Sequence, residues 1–70
     1  MSRKEQVLAK AAEAAVRYKR NKLLAASDWT QIPDATVDQA AWATYRQALR
    51  DITTHANFPN LEDADWPTKP

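Results

Sequence analysis

Val7, Ala11, Ala14, Tyr18 and Ala25 recur at spacings of three, four and seven. That is the period of one helix face. Leu8, Ala15 and Leu23 widen the stripe on one side, and Lys10, Glu13, Arg17 and Arg20 fall on the opposite arc. Alanine is frequent throughout and lowers the cost of helix formation. Ser2-Arg3-Lys4-Glu5 has the form of a capping box, Ser-x-x-Glu. The pattern predicts a first helix over about residues 3–26. Its stripe of small residues lets another backbone approach closely but offers little apolar area.

Ser27 and Asp28 interrupt this period, and Pro33 biases Ile32 towards extended backbone. Thr36-Val37-Asp38-Gln39 forms a second capping box, Thr-x-x-Gln. A second helix is predicted over about 37–55. Val37, Ala41, Trp42, Tyr45, Ala48, Leu49 and Ile52 share its apolar face. Gln39, Ala43, Arg46, Gln47, Arg50 and Thr54 share the other. Asn57 can supply a left-handed cap, and Phe58-Pro59 should then extend the chain. Residues 60–70 read as a tail without regular structure.

The predicted fold is all-α, one small domain over 1–70. It has two helices, a connector that carries a Trp, and an extended C-terminal tail packed on the second helix. Trp29, Trp42, Tyr45, Leu49, Phe58 and Trp66 are the expected fold anchors. Trp29 and Trp66 should pack around Trp42, Tyr45 and Leu49, leaving the first helix to project.

A chain of 70 residues buries a modest core. It has no cysteine, hence no disulfide and no thiolate metal site. It has no glycine either, which removes Gly-rich phosphate loops, the dinucleotide fingerprint and the nucleophile elbow. No apolar run approaches the ~20 residues of a membrane span. The first residues lack the apolar core of a signal peptide. The expectation is a soluble intracellular protein with no membrane contact. Charge is divided: residues 1–28 hold seven basic side chains against three acidic, and residues 29–70 hold three against six. The two halves can attract each other, or two different partners.

Few residues point to catalysis. His55 is the single histidine and falls near the end of the second helix, where it can meet terminal carbonyls. A general base would need a positioned partner as well. Ser2 and Ser27 are explained by helix ends. Glu62, Asp63 and Asp65 lack the spacing and the glycine of a calcium loop, so they read as a solvated tail. No cofactor or metal is implied, and the chain reads as a non-enzyme. In Arg17-Tyr18-Lys19-Arg20-Asn21-Lys22, cations flank an aromatic, as in single-strand nucleic-acid sites. Tyr18 falls on the alanine stripe, however, which favours burial. The run is therefore read as a protein-facing or solvated helix end in preference to a nucleic-acid site. Arg46 and Arg50 lie one turn apart. They form either a solvated face or an anchor for an acidic partner.

Four segments together carry a family likeness: "RYKRNKLLAASDWTQIPDA", "VDQAAWATYRQALRDI", "FPN" and "WPTKP". They resemble the small tail assembly chaperone-like domain of tailed bacteriophages and prophages, also seen attached to tail-fibre and tail-fibre-assembly proteins. Leu23, Leu24, Asp28–Gln31, Pro33 and Asp34 match the first motif. Trp42, Tyr45–Gln47 and Leu49–Asp51 match the second. Phe58, Pro59, Trp66 and Pro67 match the last. The likeness covers residues 17–70, with 1–16 as a helical extension outside the motif. It implies a role in building a phage tail through contact with another tail or tail-fibre protein. It places the chain in the host cytoplasm during assembly. A permanent place in the virion tail, at the baseplate or fibre attachment region, is the alternative. The expected contact residues are Val7, Ala11, Ala14, Ala15 and Tyr18 on the first helix, with Arg46 and Arg50 on the second. The first helix is also compatible with homo-oligomers.

Overall fold

The computed structural model describes residues 3–70, which form two helices and three short 3₁₀ turns. Helix α1 spans Arg3–Ser27 and runs directly into a 3₁₀ turn at Asp28–Gln31. Helix α2 spans Gln39–Arg50 and tightens into a second 3₁₀ turn at Asp51–Thr54. A third turn, Asp63–Asp65, interrupts the tail. The all-α expectation holds, and no described residue is in a strand. The Ser2 capping box lies outside the described residues.

At 25 residues, α1 is about 37 Å long and sets the shape of the molecule. The overall extents are 51 × 18 × 16 Å, and the radius of gyration is 14.5 Å. A compact chain of this length would have about 11 Å. The core sits where the C-terminal half of α1 meets α2. Val16, Tyr45, Leu49 and Ile52 are buried there, together with Ser27 and Thr30.

Several polar side chains make the corner after α1. A helix end leaves its last carbonyls without partners. Here the Ser27 hydroxyl donates back to the carbonyls of Leu23 (2.9 Å) and Leu24 (3.2 Å). The Thr30 hydroxyl donates to the Ser27 carbonyl at 2.6 Å, so its full burial leaves no polar atom orphaned. Arg46 reaches across from α2. Its Nη1 donates to the Leu24 carbonyl (2.6 Å) and to Ser27 Oγ (2.8 Å), and its Nη2 donates to Asp28 Oδ1 (2.6 Å). Arg46 was expected on the outer face, as an anchor for a partner. It is buried instead, because the carbonyl end of α1 and Asp28 together satisfy a guanidinium better than solvent near an apolar face.

Helix α2 starts two residues later than expected. Asp38 is its cap, and its Oδ1 accepts from the Ala41 N–H at 3.0 Å. Asp outranks Thr at this position and also matches the positive end of the helix. The Thr36 capping box is not used for the start, since the Gln39 amide is turned away to donate to the Ile32 carbonyl. The far end also differs. No described residue has positive φ, so Asn57 is not a left-handed cap. Its N–H donates to His55 Nδ1 at 3.0 Å. Residues 55–60 form successive turns, closed by Phe58 N–H to His55 O (3.0 Å) and Asn60 N–H to Asn57 O (2.7 Å). They are not the extended chain that Phe58-Pro59 predicted; the peptide between those two residues is cis.

The tail lies across both helices. Pro67 borders Ala48 of α2 and Ile52 of the second 3₁₀ turn. Trp66 was expected beside Trp42, but it lies with Leu61 against Ala12, Ala15 and Val16 of α1. The small side chains there admit an indole, and Lys19 Nζ sits 4.4 Å from its ring centroid. Arg17 covers Phe58 in the same way, at 5.6 Å. Cations on α1 therefore hold the aromatics of the tail.

The Arg46 clasp generates a stability prediction. Arg46→Lys should lose most of the forked contact and destabilise the fold by about 2 kcal/mol. That corresponds to a fall in Tm on the order of 10 °C. Asp28→Asn, whose side chain is largely exposed, should cost only about 0.5 kcal/mol. Thermal denaturation followed by circular dichroism tests both. Equal effects would show that the ion pair matters and the helix-end carbonyl does not.

Candidate functional site

The two sides of α1 have opposite fates. Val16 and Ser27 are buried, and Ala9, Ala12, Arg20 and Leu23 are partly covered. Val16 follows Val7 by nine residues, which is two and a half turns. The Val7 stripe thus points directly away from the core. Val7, Leu8 and Tyr18 are 60 %, 60 % and 66 % exposed. Ala11, Ala14, Ala15 and Ala25 are exposed as well. Tyr18, expected to be buried, is open to solvent, with Lys22 Nζ 5.2 Å from its ring centroid. Arg3, Lys4, Lys10 and Lys22 flank this outer face, and all four are exposed.

Five of the seven residues predicted to contact a partner therefore share one exposed face: Val7, Ala11, Ala14, Ala15 and Tyr18. Arg46 and Arg50 do not join them or each other. Arg46 is turned inward, whereas Arg50 is exposed, with Nη1 3.5 Å from Gln47 Oε1. The basic run that suggested nucleic acid is also largely engaged within the chain. Arg17 and Lys19 lie over the tail aromatics. Arg20 Nε donates to Asn21 Oδ1 at 3.1 Å.

A second apolar surface lies at the C-terminal end of α1. Trp29 packs on Trp42 with centroids 6.2 Å apart, and Trp42 meets Tyr45 edge-on at 5.6 Å. Yet Trp29 remains 50 % exposed, and Ile32 is 52 % exposed. Trp29 is thus only half committed to the core. The sequence pattern did not mark Ile32 as a surface residue. No signal in the pattern did so, because Ile32 follows the 3₁₀ turn as its extended cap.

The third cluster is polar and ties down the tail. Asp65 Oδ2 accepts from the Glu62 N–H (2.9 Å) and from Asn57 Nδ2 (3.0 Å). His55 Nε2 lies 3.8 Å from Asp65 Oδ1. The Glu62 N–H foremost, then the Asn57 amide and the charge of His55, hold the Asp65 carboxyl below its ordinary pKa. His55 is thus a tail contact as well as a helix-end residue. Among the described residues, no group of three or more His, Asp and Glu side chains is placed to hold a metal.

The chain matches a family model described as phage tail assembly chaperone protein, over residues 13–70. No curated protein and no solved structure matches it. The matched span takes in the C-terminal half of α1, the Arg46 corner, α2 and the tail. The outer stripe of α1 enters it at Ala14.

The tail cluster should be acid-sensitive. A carboxyl whose pKa is depressed by folding stabilises the fold above its unfolded pKa. That contribution is lost as pH falls through the folded value. The Trp66 contact with α1 should therefore loosen as pH drops below the ordinary aspartate range. The indole N–H resonance of Trp66 should move towards its free position there, and Asp65→Ala should produce the same move at neutral pH. A resonance unaffected by either change would remove Asp65 as the tether.

Proposed function

The chain belongs to the phage tail assembly chaperone family, and on that premise we propose that it acts without catalysis, by docking the outer face of α1 onto a tail or tail-fibre protein. A role in phage tail assembly follows from the family. The choice of surface rests on one observation: Val7 and Tyr18 are mostly exposed on the side of α1 opposite the core, with Leu8 exposed on its flank. Three large apolar side chains on one face of a small helical unit mark an interaction surface. The alanines between them let a partner helix or strand come close. The flanking Arg3, Lys4, Lys10 and Lys22 favour a partner with acidic groups beside its apolar contact.

The fold supports this division of labour. Arg46, Ser27 and Thr30 fix the end of α1 against α2, and the tail aromatics cover its inner side. Val7, Ala11, Ala14 and Tyr18 then face away from the tail. No helix of the described residues is long and apolar enough to cross a membrane.

The test is co-expression with individual tail and tail-fibre proteins of the encoding phage. Ala11→Glu and Ala14→Glu together should abolish co-purification of the cognate tail protein. The helical circular dichroism and the Trp emission should stay unchanged, because the substituted positions are exposed. Undiminished co-purification would overturn the choice of surface. Mass spectrometry of purified particles separates a transient assembly role, with the chain absent, from a permanent tail component, with the chain present at fixed stoichiometry.

A further inference from the structure

We propose that copies of this chain associate head to tail, the Trp29–Ile32 end of one seating on the outer face of α1 of the next. The observations begin with two apolar surfaces on one molecule. Val7, Leu8 and Tyr18 form the first, and Trp29 and Ile32 the second. From Val7 to Ser27 is twenty helical residues, about 30 Å. The helix therefore holds the Val7 end of the first surface well away from the second.

Their charges are opposite. Arg3, Lys4, Lys10 and Lys22 border the α1 surface, and the acids of α1 do not: Glu5 falls near the angular position of Leu23 on the inner side, and Glu13 faces Arg17. Along the chain, the charged side chains flanking Trp29 and Ile32 are Asp28, Asp34 and Asp38. No Lys or Arg occurs between Asp28 and Tyr45. Arg46 neutralises Asp28 from within, which leaves Asp34 and Asp38 as the outward charges. An apolar surface with a basic border thus meets an apolar surface with an acidic one. Such complementarity selects the partner and its orientation.

The same charges disfavour the symmetric alternative. Pairing α1 with α1 would set four cations against four with no acid between them. A head-to-tail contact instead pairs opposite signs, and it is heterologous. Each added copy leaves one surface of each kind free, so the assembly grows as a string or closes as a ring. The surface available suits this. The chain exposes 5141 Å², where a compact chain of its mass exposes about 4,400 Å².

Self-association and tail-protein docking use the same face of α1, so a tail protein would displace the neighbouring copy. Sedimentation velocity of the purified full chain isolates the first from the second. The expected result is a weight-average coefficient that rises with concentration past the dimer and falls with added salt. Ile32→Glu should weaken association about tenfold or more, and so should Asp34→Lys, a change that leaves the apolar residues in place. Lys4→Glu with Lys10→Glu should do the same from the other side. Mixing the Ile32→Glu chain with the Lys4→Glu, Lys10→Glu chain should restore a 1:1 dimer that grows no further, since each keeps one intact surface. A chain that stays monomeric at all concentrations overturns the proposal. So does a dimer indifferent to both Ile32→Glu and Asp34→Lys, or a mixture that fails to pair. Any of these leaves the co-purification result with tail proteins untouched.

Discussion

One guanidinium makes this chain a folded unit. The Arg46 side chain leaves α2, passes into the corner between the helices, and meets the Leu24 carbonyl, Ser27 Oγ and Asp28 Oδ1 at 2.6–2.8 Å. Helix ends are hard to bury because their carbonyls need donors. A fork with several donors and a positive charge meets that need at the negative end of the α1 dipole. With the end of α1 satisfied, Leu49, Ile52 and Tyr45 can close against it. Without that, the small apolar core would have to cover bare carbonyls. Burial of the arginine and burial of the helix end are therefore one event.

The tail completes what two helices cannot. A pair of helices encloses little volume, and α1 offers the tail small side chains such as Ala9 and Ala12. Trp66 and Leu61 supply bulk on the inner side of α1, and Lys19 caps the indole from above. The ammonium itself sits over the ring, 4.4 Å from its centroid, as a cation–π contact. The Asn57–His55–Asp65 cluster fixes the chain on the approach to Trp66. A segment with almost no regular structure thus serves as a third layer.

How much of this was legible in the sequence differs from element to element. The helices could be read because their period and composition agree. The inner side of α1 could not. An alanine-rich helix has weak contrast between its faces, and the Val7 stripe outscores the Val16 side on hydrophobicity alone. The Val16 side includes Glu13, Arg20 and Ser27, and it becomes inner only because α2 and the tail arrive there from far along the chain. The same effect hid Arg46. Its side chain is polar although its phase, one turn from Trp42 and Leu49, borders the apolar face, and the tertiary placement of three acceptors turns it in. Of the candidate site, the exposed stripe of α1 was named residue by residue, whereas the Ile32 half of the second surface was not. Ile32 next to a proline reads as connector, and its exposure depends on the 3₁₀ turn that Thr30 and Ser27 impose.

Residues 3–8 are exposed all along their length, bordered only where Glu5 and Leu8 meet the Pro59–Asn60 turn. Helical segments of this length are marginal in water without tertiary cover. The order of α1 should therefore decline from its clasped end towards its start, as a gradient of amide exchange within one continuous helix. A contact made at that start must wind the helix as it forms, and part of the interaction free energy goes into that ordering. Such a contact is specific in its side chains yet easily released.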